Sequence, residues 1–168
     1  MKVVRPMESE PVSPYVLRSD EGEAIWFSGN LVTLKATGAH TRGRLTVAEF
    51  VNPAGFAPPL HRHLVEDEMF HVLSGTAEFR CNGQALTAGP GDFVFLPVGM
   101  PHTFLVGSEE PLHLLQITTP SGFEDFAAAA GEPASERRIP DPTSMDPVAM
   151  GHAAQQHSIE ILGPPPQR

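Results

Sequence analysis

GFAPPLHRHLVEDEMFHVLSG, residues 55–75, sets two histidines two positions apart and follows them with three consecutive acids. Side chains alternate between faces along a strand, so His61 and His63 point one way and Arg62 the other. Glu68 lies an odd number of positions beyond His63, and an unbroken strand would send it to the opposite face. The polar segment LVED must therefore turn or bulge if Glu68 is to converge on the two imidazoles. A third imidazole is available from His102, which follows the Gly- and Pro-containing bend PVGMP and opens the run HTFLV.

The same strand-like texture extends outward on both sides. AIWFSGN, LVTLKATG and RLTVAEFV precede the histidine pair, and TAEFRCNGQALTAG, DFVFLPVG, HTFLVG and LHLLQITT follow it. These are short β-prone runs separated by Gly, Asn and charged residues, the pattern of a sandwich or barrel. Asn82-Gly83 suits a two-residue type I′ hairpin turn, because both positions must take positive φ. Before Ala24 the chain is rich in Pro, Ser and acids, so residues 1–23 read as an arm that orders only by packing on something else.

Beyond Thr119 the pattern turns helical. Ser121 and Glu124 have capping-box spacing ahead of DFAAAA, and Gly131 is placed to end that helix. Asp146 with Pro147 begins a second helix through VAMGHAAQQH. The expected organisation is an arm over 1–23, a barrel over 24–119, and a helical extension with a Pro-rich tail over 120–168.

Composition narrows the function. A chain of 168 residues with 40% hydrophobic content can build one domain around a real core, and no apolar run approaches membrane-spanning length. Eleven Lys and Arg against 20 Asp and Glu give a formal net charge of −9, the wrong sign for a nucleic-acid stripe. The start has no signal-peptide h-region and a lone Cys81 forms no internal disulfide framework, so a cytoplasmic setting is expected.

Gly55, His61, His63, Glu68 and Gly75 fit the first cupin motif, G-x5-H-x-H-x4-E-x6-G, and Gly91, Pro97, Gly99 and His102 fit the second, G-x5-P-x-G-x2-H. Many cupins carry Asn four residues after the second motif's histidine, where this chain has Val106. The chain thus resembles the cupin superfamily, which implies an all-β fold: a small antiparallel barrel of jelly-roll type, here with short C-terminal helices. The motif also selects among the acids, since only Glu68 leaves the required six residues before Gly75. Glu66 and Asp67 are then expected to be solvated turn residues.

The resemblance implies a metal held by His61, His63, Glu68 and His102. Three neutral imidazoles and a carboxylate suit one first-row divalent ion (Fe, Mn, Ni, Co, Cu or Zn) and leave one or two positions open. Phe70 and Val72 share parity with Glu68, and Phe104 and Val106 with His102, which makes these four the expected apolar wall of a substrate pocket. His71 should face away from Glu68. His40, His152 and His157 fall in loop or surface-helix contexts, and either His113 or Gln116 could look inward. Cys81 reads as an ordinary small strand residue.

The runs IWFSGNLVTLKATG and TTPSGFEDF and the Pro-rich ending are similar to small monocupins of the quercetin 2,3-dioxygenase-like group. That similarity implies a dioxygenase acting on a flavonol-like or other aromatic hydroxy-ketone, with Glu68 both ligand and proton acceptor. Two alternatives keep the barrel: a non-oxidative isomerase or dehydratase of a polyketide-like compound, and a non-catalytic small-molecule-binding cupin. The expected partners are a small-molecule substrate and, because a small sandwich has sheet edges to cover, a second copy in a homodimer; neither nucleic acid nor membrane is expected.

Overall fold

The computed structural model describes residues 12–142 and 146–166. The first eleven residues of the expected arm and the last two of the tail lie outside them. Among the described residues no helix is long and apolar enough to cross a membrane.

The chain folds into two antiparallel sheets facing each other across one core, an all-β barrel of jelly-roll type. In chain order the strands are β1 (Glu23–Phe27), β2 (Asn30–Ala36), β3 (Thr46–Asn52), β4 (Leu60–His63), β5 (Asp67–Ser74), β6 (Ala77–Cys81), β7 (Gln84–Ala88), β8 (Phe93–Leu96), β9 (His102–Val106), β10 (Leu112–Thr119), β11 (Glu132–Pro133) and β12 (Ile159–Gly163). Three helices interrupt them: α1 (Gly38–Thr41), α2 (Phe123–Ala130) and α3 (Pro147–Gln156). The larger sheet runs β11-β1-β2-β3-β10-β5-β8 and the smaller β12-β4-β9-β6-β7.

Period-two alternation explains the layering. In β3 and β10 every second residue is buried, so Ala48, Phe50 and Asn52 face the core beside Leu112, Leu114, Gln116 and Thr118. Phe79, Leu96, Val32 and Val72 fill the space between the sheets at 1% exposure or less. Full burial of one such side chain is worth about 1.5–3 kcal/mol.

The turns follow the local chemistry. Asn82 and Gly83 take φ of 48° and 79° and join β6 to β7, with Cys81 opposite Gln84, the two-residue hairpin that the pair demands. Gly75 has φ of 76° and lies so close to the Pro111 carbonyl that a side chain there would collide with backbone.

Helix α2 starts one residue later than its expected cap. Gly122 is the N-cap and no side chain caps it, so the Ser121–Glu124 capping box does not form. Glu124 is committed elsewhere: it accepts hydrogen bonds from Gly38 N at 2.6 Å, from Gly122 N at 2.9 Å and from the Thr46 hydroxyl, binding α2 to the start of α1 and to β3. Gly131 does end the helix, its N–H donating to Ala127 O. In α3 the Asp146 carboxylate caps Val148 N at 2.9 Å and Pro147 opens the first turn.

The C-terminal segment does more than trail the barrel. β11 adds to β1 at one end of the larger sheet, and β12 pairs with β4, bringing Ile159 opposite His63 and Ile161 opposite His61. At the other end of the chain, the described part of the arm lies against β2, where Tyr15 Oη donates to Lys35 O at 2.7 Å and Lys35 Nζ donates to Glu21 O at 2.9 Å.

Candidate metal centre

Three strands from both sheets converge here. β4 carries His61 and His63 on the inner face of the smaller sheet, and β9 places His102 directly opposite His61 in register. After His63 the chain leaves that sheet, turns through residues 64–66, and enters the larger one at Asp67. Glu68 therefore reaches the histidines from the facing sheet, so parity along a single strand does not apply to it. One donor atom from each of His61, His63, Glu68 and His102 lies within 4.8 Å of the others. Glu68, His63 and His102 are buried, while His61 is only half-buried.

The donor set fits a divalent ion because each ring is held from behind. His61 Nδ1 lies 2.7 Å from Pro59 O, His63 Nδ1 2.7 Å from Glu66 Oε2, and His102 Nδ1 2.9 Å from Met100 O. Each Nδ1 thus faces an acceptor and carries the proton, which leaves Nε2 as the atom able to ligate. His102 Nε2 sits 2.9 Å from Glu68 Oε2, and His63 Nε2 3.7 Å from Glu68 Oε1. Gln116, inward-facing on β10, donates its amide N–H to Glu68 Oε1 and fixes that carboxylate from the remaining side.

Charge follows from this packing. Burial works to raise the Glu68 pKa, but the imidazoles of His63, His102 and His61 outweigh it and hold the carboxyl well below its ordinary range. Burial, with His102 beside it, pushes His61 down to about 4, so that ring is neutral near pH 7. Burial would lower His63 too, yet the carboxylates of Glu68 and Glu66 raise it above the usual histidine value.

The four donors open into a cavity whose lining includes seven phenylalanines. Phe70 and Phe104 stand on its wall beside the donors. Val72 and Val106, expected next to them, are buried further along β5 and β9 in the packed core and are not among the lining residues.

Glu66 corrects the expectation of a solvated turn acid. It is 7% exposed, and its carboxylate orients His63. Asp67 also has a structural task, accepting from Val98 N at 2.9 Å. Gln116 rather than His113 looks inward; His113 Nε2 instead lies 2.6 Å from Glu49 Oε1, which also pairs with Lys35 at 3.2 Å through Oε2. His40 caps its own short helix through Thr37 and rests on the Tyr15 ring. Sequence reading missed Glu66 because nothing local announces that the turn tucks inward. For Gln116 a signal existed, since it shares parity with Leu112 and Leu114 in an alternating strand.

Residues 48–118 match the cupin domain family. Over 120 residues, 71% of this chain and 35% of the relative, the chain is 29% identical to a quercetin 2,3-dioxygenase of Bacillus subtilis. Over 51 residues, 30% of this chain and 25% of the relative, it is 47% identical to a dimethylsulfoniopropionate lyase of Ruegeria pomeroyi. The matches thus span about a third and a quarter of these relatives' lengths. Among solved structures, one from Thermotoga maritima described as a predicted oxalate decarboxylase superposes with a TM-score of 0.57 at 22% identity, covering 63% of this chain and 99% of that one. Two facing antiparallel sheets and both histidine motifs accompany the cupin domain match over residues 48–118, and the chain resembles the quercetinase-like members of the cupin superfamily.

Proposed function

We propose that this protein is a metal-dependent dioxygenase acting on a flavonol-like or other aromatic hydroxy-ketone. The observation that carries the reading is the opening of a three-histidine, one-carboxylate cluster into a phenylalanine-lined cavity, which suits a flat ligand with a chelating polar end. The likeness to a quercetin 2,3-dioxygenase supports it.

His61, His63, Glu68 and His102 would hold one first-row divalent ion, and that ion would supply Lewis acidity and a site for oxygen activation. Pro59, Glu66 and Met100 keep the three Nε2 atoms aimed at the shared centre. In this reading Glu68 accepts the hydroxyl proton of the substrate while Gln116 holds the carboxylate in place, and because its imidazole cage makes it a weak base, the transfer would rely on the metal to acidify that hydroxyl. The apolar walls exclude water from the reacting end. Residence in the cytoplasm belongs to the same proposal, supported by the single, free Cys81.

A non-oxidative reading keeps the ion as Lewis acid for an isomerisation or elimination, and the similarity to a lyase favours it as second choice. A non-catalytic binding role is the third.

Metal-reconstituted protein, assayed in air against a panel of flavonols and related hydroxy-ketones, should consume oxygen and bleach the substrate chromophore. Glu68→Gln should lower turnover per bound metal, whereas a purely ligating Glu68 predicts activity lost only in proportion to metal. Tight binding of a panel compound with no oxygen uptake under any of the six metals would discard the dioxygenase reading.

A further inference from the structure

The cavity reaches well beyond the metal-binding cluster, and its remote wall carries a polar pair that the cluster does not use. Asn30 and Asn52 face each other across β2 and β3, each 1% exposed, and both line the cavity. Asn30 spends both amide N–H groups on backbone carbonyls, Phe27 O and Ser28 O, each at 3.1 Å. Its Oδ1 is therefore an acceptor, and Asn52 Nδ2 donates to it at 2.8 Å. This network fixes which way the Asn52 amide points. Asn52 Oδ1 is left buried, with no hydrogen-bond partner among the described residues.

Such an atom is costly in an apolar wall unless something donates to it. Phe50 and Leu114 on neighbouring strands, with Phe27 above, make the surroundings apolar and aromatic. Ala48 pairs with Gln116, and Asn52 lies four positions further along β3, so the orphaned oxygen stands about 13 Å along the strand from the level of the Glu68-holding amide. We propose that Asn52, locked by Asn30, is a specificity-determining residue that accepts a hydrogen bond from a hydroxyl on the end of the aromatic ligand remote from the metal-binding cluster. A methoxy group or a bare ring edge at that position has no proton to give, and it leaves Oδ1 unpaired. The ligand class narrows accordingly, to aromatic compounds that carry a free phenolic hydroxyl distant from the chelating end. The description of the ligand as an aromatic chelator rests on the dioxygenase reading; the acceptor itself does not.

The test uses the zinc-loaded full chain, which is diamagnetic and redox-inert, titrated with phenol, anisole and toluene while the Leu114 methyl and Asn52 side-chain amide signals are followed by NMR. Phenol should shift the Asn52 amide and bind at least about tenfold more tightly than anisole or toluene, since a buried acceptor discriminates strongly against a ligand that leaves it unpaired. The double variant Asn30→Leu/Asn52→Leu, which removes the acceptor without leaving Asn30 Oδ1 unpaired in its place, should bring the three Leu114-reported affinities within about threefold. Equal binding of phenol and anisole by the wild type, phenol binding that leaves the Asn52 amide unmoved, or no phenol binding at all would each overturn the proposal, whether or not the variant folds. Oxygen uptake with flavonols separates the two claims: hydroxyl selectivity without uptake keeps this acceptor and removes the dioxygenase, and uptake without selectivity does the reverse.

Discussion

Glu66 Oε2 lies 2.7 Å from His63 Nδ1, with both side chains buried. A carboxylate behind a ligating histidine fixes its tautomer and raises its basicity, and removing such a partner commonly weakens metal affinity ten- to a hundredfold. Glu66→Ala should therefore reduce zinc affinity by roughly that factor, and Glu66→Gln, which keeps an acceptor, by less. Competition against a chromophoric chelator reads both. Wild-type affinity in Glu66→Ala would mean that packing alone orients the ring.

Elemental analysis checks the cluster itself. Protein purified without added metal should carry a first-row divalent ion, and His61→Ala or His102→Ala should lose most of it, because one of four ligands is gone while the core stays packed. Equal metal in wild type and both variants would remove these residues from any metal site.

Glu124 links folding to acidity at a distance from the donors. Burial works to raise its pKa, but the Thr46 hydroxyl and the amides of Gly38 and Gly122 overcome this and lower it. A carboxyl whose folded pKa is depressed adds stability that is present above its unfolded value and is lost as pH falls through the folded one. Glu124→Gln should cost about 2 kcal/mol near neutrality, the scale of hydrogen bonds to a charged acceptor. Urea unfolding at pH 7 and pH 3 should show that gap closing in acid; a gap independent of pH would assign the effect to shape rather than charge.

At the edge of the larger sheet, Phe93 and Phe95 on β8 are 59% and 50% exposed, beside the outward His71 and Met69 of β5. An apolar edge strand of this kind is covered in stable proteins or it aggregates. Light scattering should return twice the 18.1 kDa of one chain, and Phe95→Glu should shift the population toward monomer. A wild-type monomer at every concentration would end the homodimer.

Most of the barrel was legible because alternation is a local signal: β3, β5 and β10 read directly from their periodicity, and Asn82-Gly83 names its own turn. His61, His63, Glu68 and His102 were legible through spacing. What the sequence did not announce depends on contacts far apart in the chain. Glu66 is buried where Gly122, at the start of α2, lies against its carboxylate, while Leu64 and Val65 just before it stay exposed. β12 lies inside the segment read as a helical extension and Pro-rich tail, and it is a strand because β4 offers it an edge. Asn52 looks like the polar end of a strand, and only Asn30 across from it makes it a fixed acceptor.

β4 and β12 meet although Ile159 follows its partner His63 by 96 positions (159 − 63). During synthesis the histidine-bearing strand leaves the ribosome long before the segment that completes its outer edge, with the whole remainder of both sheets still to be made. Closing so long a loop is slow and entropically unfavourable until the intervening barrel has brought the two ends near each other. Ile159 and Ile161 also line the cavity, so its mouth takes final shape only in that last step. A nascent or truncated chain lacking β12 would hold all four donors and yet present them on an open sheet edge, exposed to stray metals and to other unfinished chains.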